Sequence, residues 1–287
     1  MIALLALRSA AAAPDIARHY DELDFFYRQL WGEHLHHGLW EEQWEDDPQL
    51  SIQETTRRLL EVTIAPLSLQ PGERVVDIGC GYGADARWLA EHTAAHVTGI
   101  TLSALQVQLA KEHPPPVRGS TVIRQGDWLH NDFDDHSFGA AVAIESLAHM
   151  PDKRLFFRQL SRTLSQGGRA AIACWTAAPD CSFLETILLR RLCRDGQLPS
   201  LGTLREYREL AEGAGLRFTN YRDLTTAVEP TWRIIRRRAA KALWSLRFLR
   251  ASIVTARRRP SFVLTIPSMM LAYRTQALHY GILWLEK

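Results

Sequence analysis

The stretch Val75-Val-Asp-Ile-Gly-Cys-Gly-Tyr-Gly83 joins an apolar run to three closely spaced glycines. A short apolar run ending in a glycine turn predicts a strand buried on both faces of a parallel sheet. With Arg74 that strand covers Arg74 to Ile78 and carries Asp77 to the carboxyl edge, where open α/β sheets bind ligands. Gly79 and Gly81 let the backbone approach a ligand closely. The helix expected next, near Ala84 to His92, offers its free N–H groups to an anion. A dehydrogenase would carry GxGxxG, and an acidic residue about 20 residues further on for the ribose. Here the spacing is Gly-Cys-Gly-Tyr-Gly and position 101 is threonine.

Outward from this turn, apolar runs and helical patterns alternate. His96 to Ile100 reads as a second strand, and Ser103 to Glu112 as a helix opened by a serine cap and broken at Pro114-Pro-Pro116. Further strands are expected at Thr121 to Gln125, Phe138 to Ile144, Arg169 to Trp175, Arg217 to Leu224 and Leu278 to Leu285. Helices are expected at Asp152 to Leu164 and Leu204 to Gly213. Such alternation predicts an α/β fold: a seven-stranded, mostly parallel Rossmann-like sheet covered by helices. The segment from Ala227 to Gln276 is too long for a connector and reads as a helical insertion. The expected organisation is a helical lid over 1–55 and a ligand-binding core over 56–176, completed by strands near 216–225 and 278–286. A helical cap is expected over 177–215 and 226–277.

At 287 residues, 46% hydrophobic and 23% charged, the composition is that of a globular protein with ample core. The cysteines Cys80, Cys174, Cys181 and Cys193 form no CxxC pair, which points to reduced thiols in a cytosol-like compartment rather than a disulfide scaffold or zinc finger. The start, MIALLALRSAAAAPD, reads as a first helix rather than a signal segment, because no positive n-region precedes it. The formal net charge is +2, but it is unevenly spread. Glu41 to Asp47 is acidic, whereas Thr231 to Arg259 is rich in arginine interleaved with Trp232, Leu243, Trp244, Leu246 and Phe248. A solvated face, contact with an anionic membrane, and a hold on a phosphorylated substrate all fit that segment. Nucleic acid does not, since the basic excess is confined to one segment without a binding motif.

Val75 to Gly83 resembles the first motif of class I S-adenosylmethionine-dependent methyltransferases, and VTGITLSALQ over 97–106 resembles the second. QGDWLHNDF, AIESLAHMPDK and LSQGGRAAIACW resemble the adenine loop and the fourth- and fifth-strand motifs. LWGEHLHHGLWE and the tail AYRTQALHYGILWLEK are similar to the gamma-tocopherol methyltransferases and their relatives. That group includes C-methylation of prenylated hydroquinones and N-methylation of alkaloids. Sugar O-methyltransferases of the rebeccamycin type share some of the motifs.

The resemblance implies S-adenosylmethionine as cofactor and S-adenosylhomocysteine as product. It places Asp77, Gly79, Cys80 and Gly81 around the methionine moiety, and Thr101, Leu102 and Gln106 at the ribose and adenosine. Gly126, Asp127 and Trp128 are placed at the adenine. Glu145, at the end of the fourth strand, is expected beside the sulfonium, where a carboxylate offsets positive charge in a dry cavity. His149 is the candidate base. Departures matter: Ala148 stands where tocopherol-type enzymes carry a second glutamate. Sugar O-methyltransferases have histidine there, and an aspartate where this chain has Cys174. The missing His/Asp pair weakens sugar O-methylation, and Trp175 agrees with the tocopherol branch.

His34, His36 and His37 lie within four residues. Three metal ligands rarely converge from one local turn without supporting contacts, so no metal is expected. The segment reads instead as part of an aromatic lid, with Tyr20, Tyr27, Trp31, His37, Trp40 and Trp175 as acceptor-binding candidates. The expected reaction is C-methylation of a lipophilic isoprenoid or prenylated aromatic compound in natural-product biosynthesis, a prenyl diphosphate or terpenoid alkene included. N- or O-methylation of a hydrophobic natural product is the alternative. The acceptor's identity, homo-oligomerisation and removal of the first 14 residues stay open.

Overall fold

The computed structural model describes residues 11–40, 51–258 and 264–287. The first ten residues and the acidic run at 41–47 lie outside that range.

Seven strands form one sheet in the order β3-β2-β1-β4-β5-β7-β6. They are β1 Arg74–Ile78, β2 His96–Thr101, β3 Ser120–Gln125, β4 Phe138–Ile144, β5 Leu164–Ala177, β6 Arg217–Asp223 and β7 Leu278–Glu286. Strands β1 to β5 run parallel, and β7 is inserted antiparallel between β5 and β6. The mostly parallel seven-stranded sheet expected from the alternation is present. β5 starts earlier than expected: Leu164 already pairs with Phe138, and a register shift follows before Arg169 joins Ala140.

Along β1 the strand period of two divides the core. Val75 faces a cluster containing Leu59, Leu60, Leu89 and Met269, while Val76 and Ile78 face one containing Phe156, Phe157, Leu160 and Tyr207. The first cluster gathers α2 Ile52–Ile64, α3 Ala84–Thr93, α6 Phe183–Asp195 and α11 Thr265–Arg274. The second gathers α5 Lys153–Thr163 and α7 Leu204–Glu212. Caps fix these helices where the sequence placed them. Ser103 opens α4 Ala104–Ala110 by accepting from Gln106 N at 3.0 Å, and Asp152 opens α5 by accepting from Leu155 N at 2.8 Å.

A third cluster builds the lid. Helix α1 Ala13–Leu30 buries Ile16, His19, Leu23, Phe26 and Leu30, a single stripe at alternating spacings of three and four. Leu23, Phe26 and Leu30 share a core with Trp40, Ile52, Ile235 and Phe248. The last two belong to α9 Pro230–Ala242 and α10 Leu246–Arg258, which follow the short α8 Thr225–Val228. The N-terminal lid and the late helical insertion therefore share one core, and α2 runs unbroken across position 55. Polar contacts fasten α1 and the segment after it to the loops at the sheet's carboxyl edge and to α3. Tyr82 Oη donates to Asp24 at 2.7 Å, Ser103 Oγ donates to Asp21, and Arg87 donates to Glu33 at 3.0 Å. Among the described residues, no helix is long and apolar enough to cross a membrane.

Candidate active site

The strand order reverses between β1 and β4, and the loops after these two strands open a crevice under the lid. After β1 the turn needs glycine for two reasons. Gly79 has φ +80°, and a Cβ there would sit 2.4 Å from Ser146 Cβ. After β4, Glu145 itself takes a left-handed conformation at φ +56°, its N–H held by Ala173 O at 2.8 Å. A buried non-glycine residue in that region is strained, and such strain collects where a side chain must be aimed.

Two chambers meet at this point. The first has an empty volume of about 700 Å³, and its walls include Gly79, Gly81, Thr101, Leu102, Gln106, Gly126, Asp127 and Trp128. The second, of about 830 Å³, has walls that include Tyr27, Trp31, His37, Trp175, Leu192 and Met269. Tyr20, Leu35, Glu145 and His149 line both. Among the described residues, no lysine or arginine lines the second chamber.

The first chamber fits the donor the motifs imply. Its glycine turn gives access to main-chain N–H groups at the start of α3, and Ser146 Oγ lies buried in its wall without a hydrogen-bond partner among the described residues. Thr101 Oγ1 is 2.5 Å from Gln106 Oε1, so the two polar groups expected at the adenosine are held together. Asp127 accepts from Leu129 N at 2.9 Å, which fixes it at the rim.

A family model described as mycolic acid cyclopropane synthetase matches residues 8–246. The chain belongs to this family. It is 34% identical over 220 residues to the 27-O-demethylrifamycin SV methyltransferase of Amycolatopsis mediterranei (strain S699), covering 76% of this chain and 79% of the relative. It is 27% identical over 307 residues to the chloroplastic tocopherol O-methyltransferase of Arabidopsis thaliana, covering 100% of this chain and 85% of the relative. The cyclopropane synthase MmaA2 from Mycobacterium tuberculosis shares the fold with a TM-score of 0.82 at 17% identity, covering 98% of this chain and 100% of the other. The protein is an S-adenosylmethionine-dependent methyltransferase, as the motif resemblance implied.

In this methyltransferase Glu145 is the hub of a buried network. Its Oε1 accepts from His37 N at 2.7 Å, from His37 Nδ1 at 2.8 Å and from Tyr280 Oη at 3.0 Å. An indole N–H only donates, so the 2.7 Å contact from Trp232 Nε1 makes His37 Nε2 an acceptor and leaves the ring proton on Nδ1. Tyr273 and Trp175 extend the chain: Tyr273 Oη lies 3.2 Å from His37 Nε2 and accepts from Trp175 Nε1 at 3.1 Å. Burial raises the Glu145 pKa, but the His37 contacts outweigh it and hold the carboxyl below its usual range. The result is an ionised carboxylate at the junction of the two chambers.

His149 sits across that junction. Its Nδ1 donates to Gln197 O at 3.2 Å, and its Nε2 accepts from Tyr20 Oη at 2.9 Å. Burial drives its pKa down to about 4, so the imidazole is neutral near pH 7 and Tyr20 occupies its basic nitrogen.

The three histidines part company. His37 turns toward Glu145, while His34 Nδ1 lies 2.5 Å from Asp85 Oδ1 and His36 Nε2 lies 3.2 Å from Asp85 Oδ2. His34, His36 and Asp85 have the composition of a metal site, but ligand atoms sharing a tetrahedral zinc ion at about 2.1 Å would stand about 3.4 Å apart. The His34 contact is of hydrogen-bond length. His36 donates its other nitrogen to His37 O at 2.8 Å, so the face toward Asp85 needs a second proton. Burial opposes that charge, yet Asp85 outweighs it and lifts the His36 pKa from 6.5 to about 9. A raised folded-state pKa stabilises the fold fully below 6.5 and loses that contribution as pH rises through about 9. Urea midpoints are therefore expected to fall between pH 6.5 and about 9.5, with a shallower fall in His36→Gln. Equal slopes in the two proteins would remove this role.

Three sequence expectations need correction. Trp40 does not reach the acceptor chamber: its indole N–H donates to Thr231 Oγ1 at 3.0 Å, and its ring packs into the lid core. Asp77 and Cys80 do not line the donor chamber. Asp77 is buried beneath the turn, with Oδ2 unpartnered among the described residues, and Cys80 lines a small adjoining space beside His34, His36 and Asp85 that shares the Gly79 and Gly81 wall with the donor chamber. None of the arginines from 233 to 250 expected to hold a diphosphate lines the acceptor chamber: Arg236, Arg237, Arg247 and Arg250 are exposed, Arg233 pairs with Glu229 at 3.3 Å, and Arg238 donates to Gln29 O at 3.2 Å. Sequence reasoning missed Tyr280, Tyr273 and Trp232, which converge on His37 and Glu145 from distant positions. It also missed Asp85, whose only signal was an acid in the first turn of α3.

Proposed function

We propose that this methyltransferase methylates a carbon centre of a neutral lipophilic isoprenoid or prenylated aromatic acceptor. The carrying observation is an aromatic and aliphatic chamber, lined by no lysine or arginine among the described residues, that meets the donor chamber at the ionised Glu145. S-adenosylmethionine, when bound, supplies a methyl group already activated by a positively charged sulfur. What the chain then contributes is position and field. Gly79 and Gly81 admit the donor, while Trp31, Trp175, Leu192 and Met269 exclude water and hold the acceptor face. Glu145, fixed by three donors, opposes the cationic character that a carbon acceptor develops as it gains the methyl group. His149 takes the proton a quinol ring must release, once Tyr20 yields its nitrogen.

A second reading, methylation of a hydroxyl or amine on a hydrophobic natural product, is favoured by the Tyr20–His149 pair, which suits deprotonation of an acceptor. Labelled donor offered with prenylated quinols, terpenoid alkenes, prenyl diphosphates and hydroxylated macrocycles separates the two. Carbon-bound label on a quinol or alkene is the expected product by NMR. Label found only on oxygen or nitrogen would replace the first reading with the second.

A further inference from the structure

We infer that the outer face of α9 and α10 docks onto an anionic lipid bilayer. No aspartate or glutamate occurs from Pro230 to Leu285. Across the two helices and their corner, Arg236, Arg237, Lys241, Arg247, Arg250 and Arg257 are all exposed. Helix α10 buries a single residue, Phe248, whose ring meets Phe25 and Phe26 at 6.0 and 5.3 Å between centroids. Leu246, Leu249 and Ile253, at positions i, i+3 and i+7, share the opposite face and stand in solvent. At the corner between the helices Trp244 is 92% exposed, next to Leu246 at 71%.

A surface helix of a water-soluble protein turns its apolar stripe inward; this one turns a second stripe outward among cations. That pattern is the physics of an interfacial helix. Leucine and isoleucine enter the acyl boundary, tryptophan prefers the headgroup level, and arginines meet lipid phosphates. Nucleic acid would use the cations but has no use for the exposed aliphatic row.

Two further features agree. Between α1 and α10 lies a groove with an empty volume of about 900 Å³, walled by Leu23, Phe25, Phe26 and Val254, with the cations Arg250 and Arg258 and the single carboxylate of Glu22 along it. An apolar trough beside two guanidinium groups suits an acyl chain below its phosphate headgroup. At the start of α11, Leu264 is exposed while Thr265 and Met269 line the acceptor chamber. Ile266 of the same helix packs against the cluster that holds Ile235 of α9 and Phe248 of α10, so the chamber wall abuts the docked helices, a short route for an acceptor dissolved in lipid. Only this delivery step rests on the lipophilic-acceptor reading; adsorption itself is measured without any acceptor.

The test is sedimentation of the full chain with sucrose-loaded vesicles of phosphatidylcholine alone or with about 30 mol% phosphatidylglycerol. Partitioning is expected to be about tenfold stronger on the anionic vesicles and to weaken several-fold at about 0.5 M salt. Trp244→Ser with Leu246→Ser, and separately Arg236→Gln with Arg250→Gln, should each lower partitioning about tenfold. Donor uptake by calorimetry should remain intact in both, since none of these residues lines the donor chamber. Three results overturn the inference: no preference for anionic vesicles, partitioning unmoved by both double variants, or retention of duplex DNA in place of vesicles.

Discussion

Glu145→Gln is expected to keep donor binding within about threefold and to lower turnover by about 10²- to 10³-fold, the range seen when a preorganised electrostatic group is removed. Glutamine retains the shape and one carbonyl oxygen, so it can still accept from His37 N, His37 Nδ1 and Tyr280 Oη. What disappears is the negative charge at the junction of the chambers. If that charge stabilises cationic character during transfer, the loss falls on kcat rather than on affinity for either partner. Calorimetry with S-adenosylhomocysteine and single-turnover methyl transfer read the two quantities separately. A variant with wild-type single-turnover rates would leave Glu145 a structural anchor for His37 and nothing more.

Gly79→Ala is the second large effect. At φ +80° an alanine costs about 1–3 kcal/mol of backbone strain, and its methyl would lie 2.4 Å from Ser146 Cβ. Ser146 follows Glu145 and lines the donor chamber, so relief of the clash moves chamber and carboxylate together. Donor affinity is expected to fall at least about tenfold, and the melting temperature by a few degrees. Gly72→Ala is the control, because Gly72 has φ +78° but nothing within 4 Å of the added methyl. It should show the stability loss with donor affinity unchanged. Equal donor binding in the two variants would mean that close approach at Gly79 does not matter.

The core fold was legible because local and global signals agree along β1, β2 and β4. Each is a buried apolar run, each is followed by its helix, and Ser103 and Asp152 cap where the pattern demanded. β5 was read short because Gly167 and Gly168 look like a turn, whereas Leu164 already joins the ladder ahead of the register shift. Within the site, residues in the loops after β1, β2, β3 and β4 were found by motif, since the parallel sheet brings all those loops to one edge. The lid was harder. Trp40 and Trp31 lie on the same segment of an aromatic sequence, yet only Trp31 lines the acceptor chamber.

By itself, the sequence determined that a parallel sheet would present a glycine turn, a threonine and an acidic strand end on one edge for a sulfonium donor. Strand period and helix caps act over a few residues, so they can be read locally. Only the tertiary structure decided which histidine meets Glu145, that Tyr280 and Trp232 complete its network, and that the arginine-rich helices face outward instead of into the acceptor chamber. Those choices are set by packing between segments more than a hundred residues apart, whose pairing leaves no periodic trace in either segment alone.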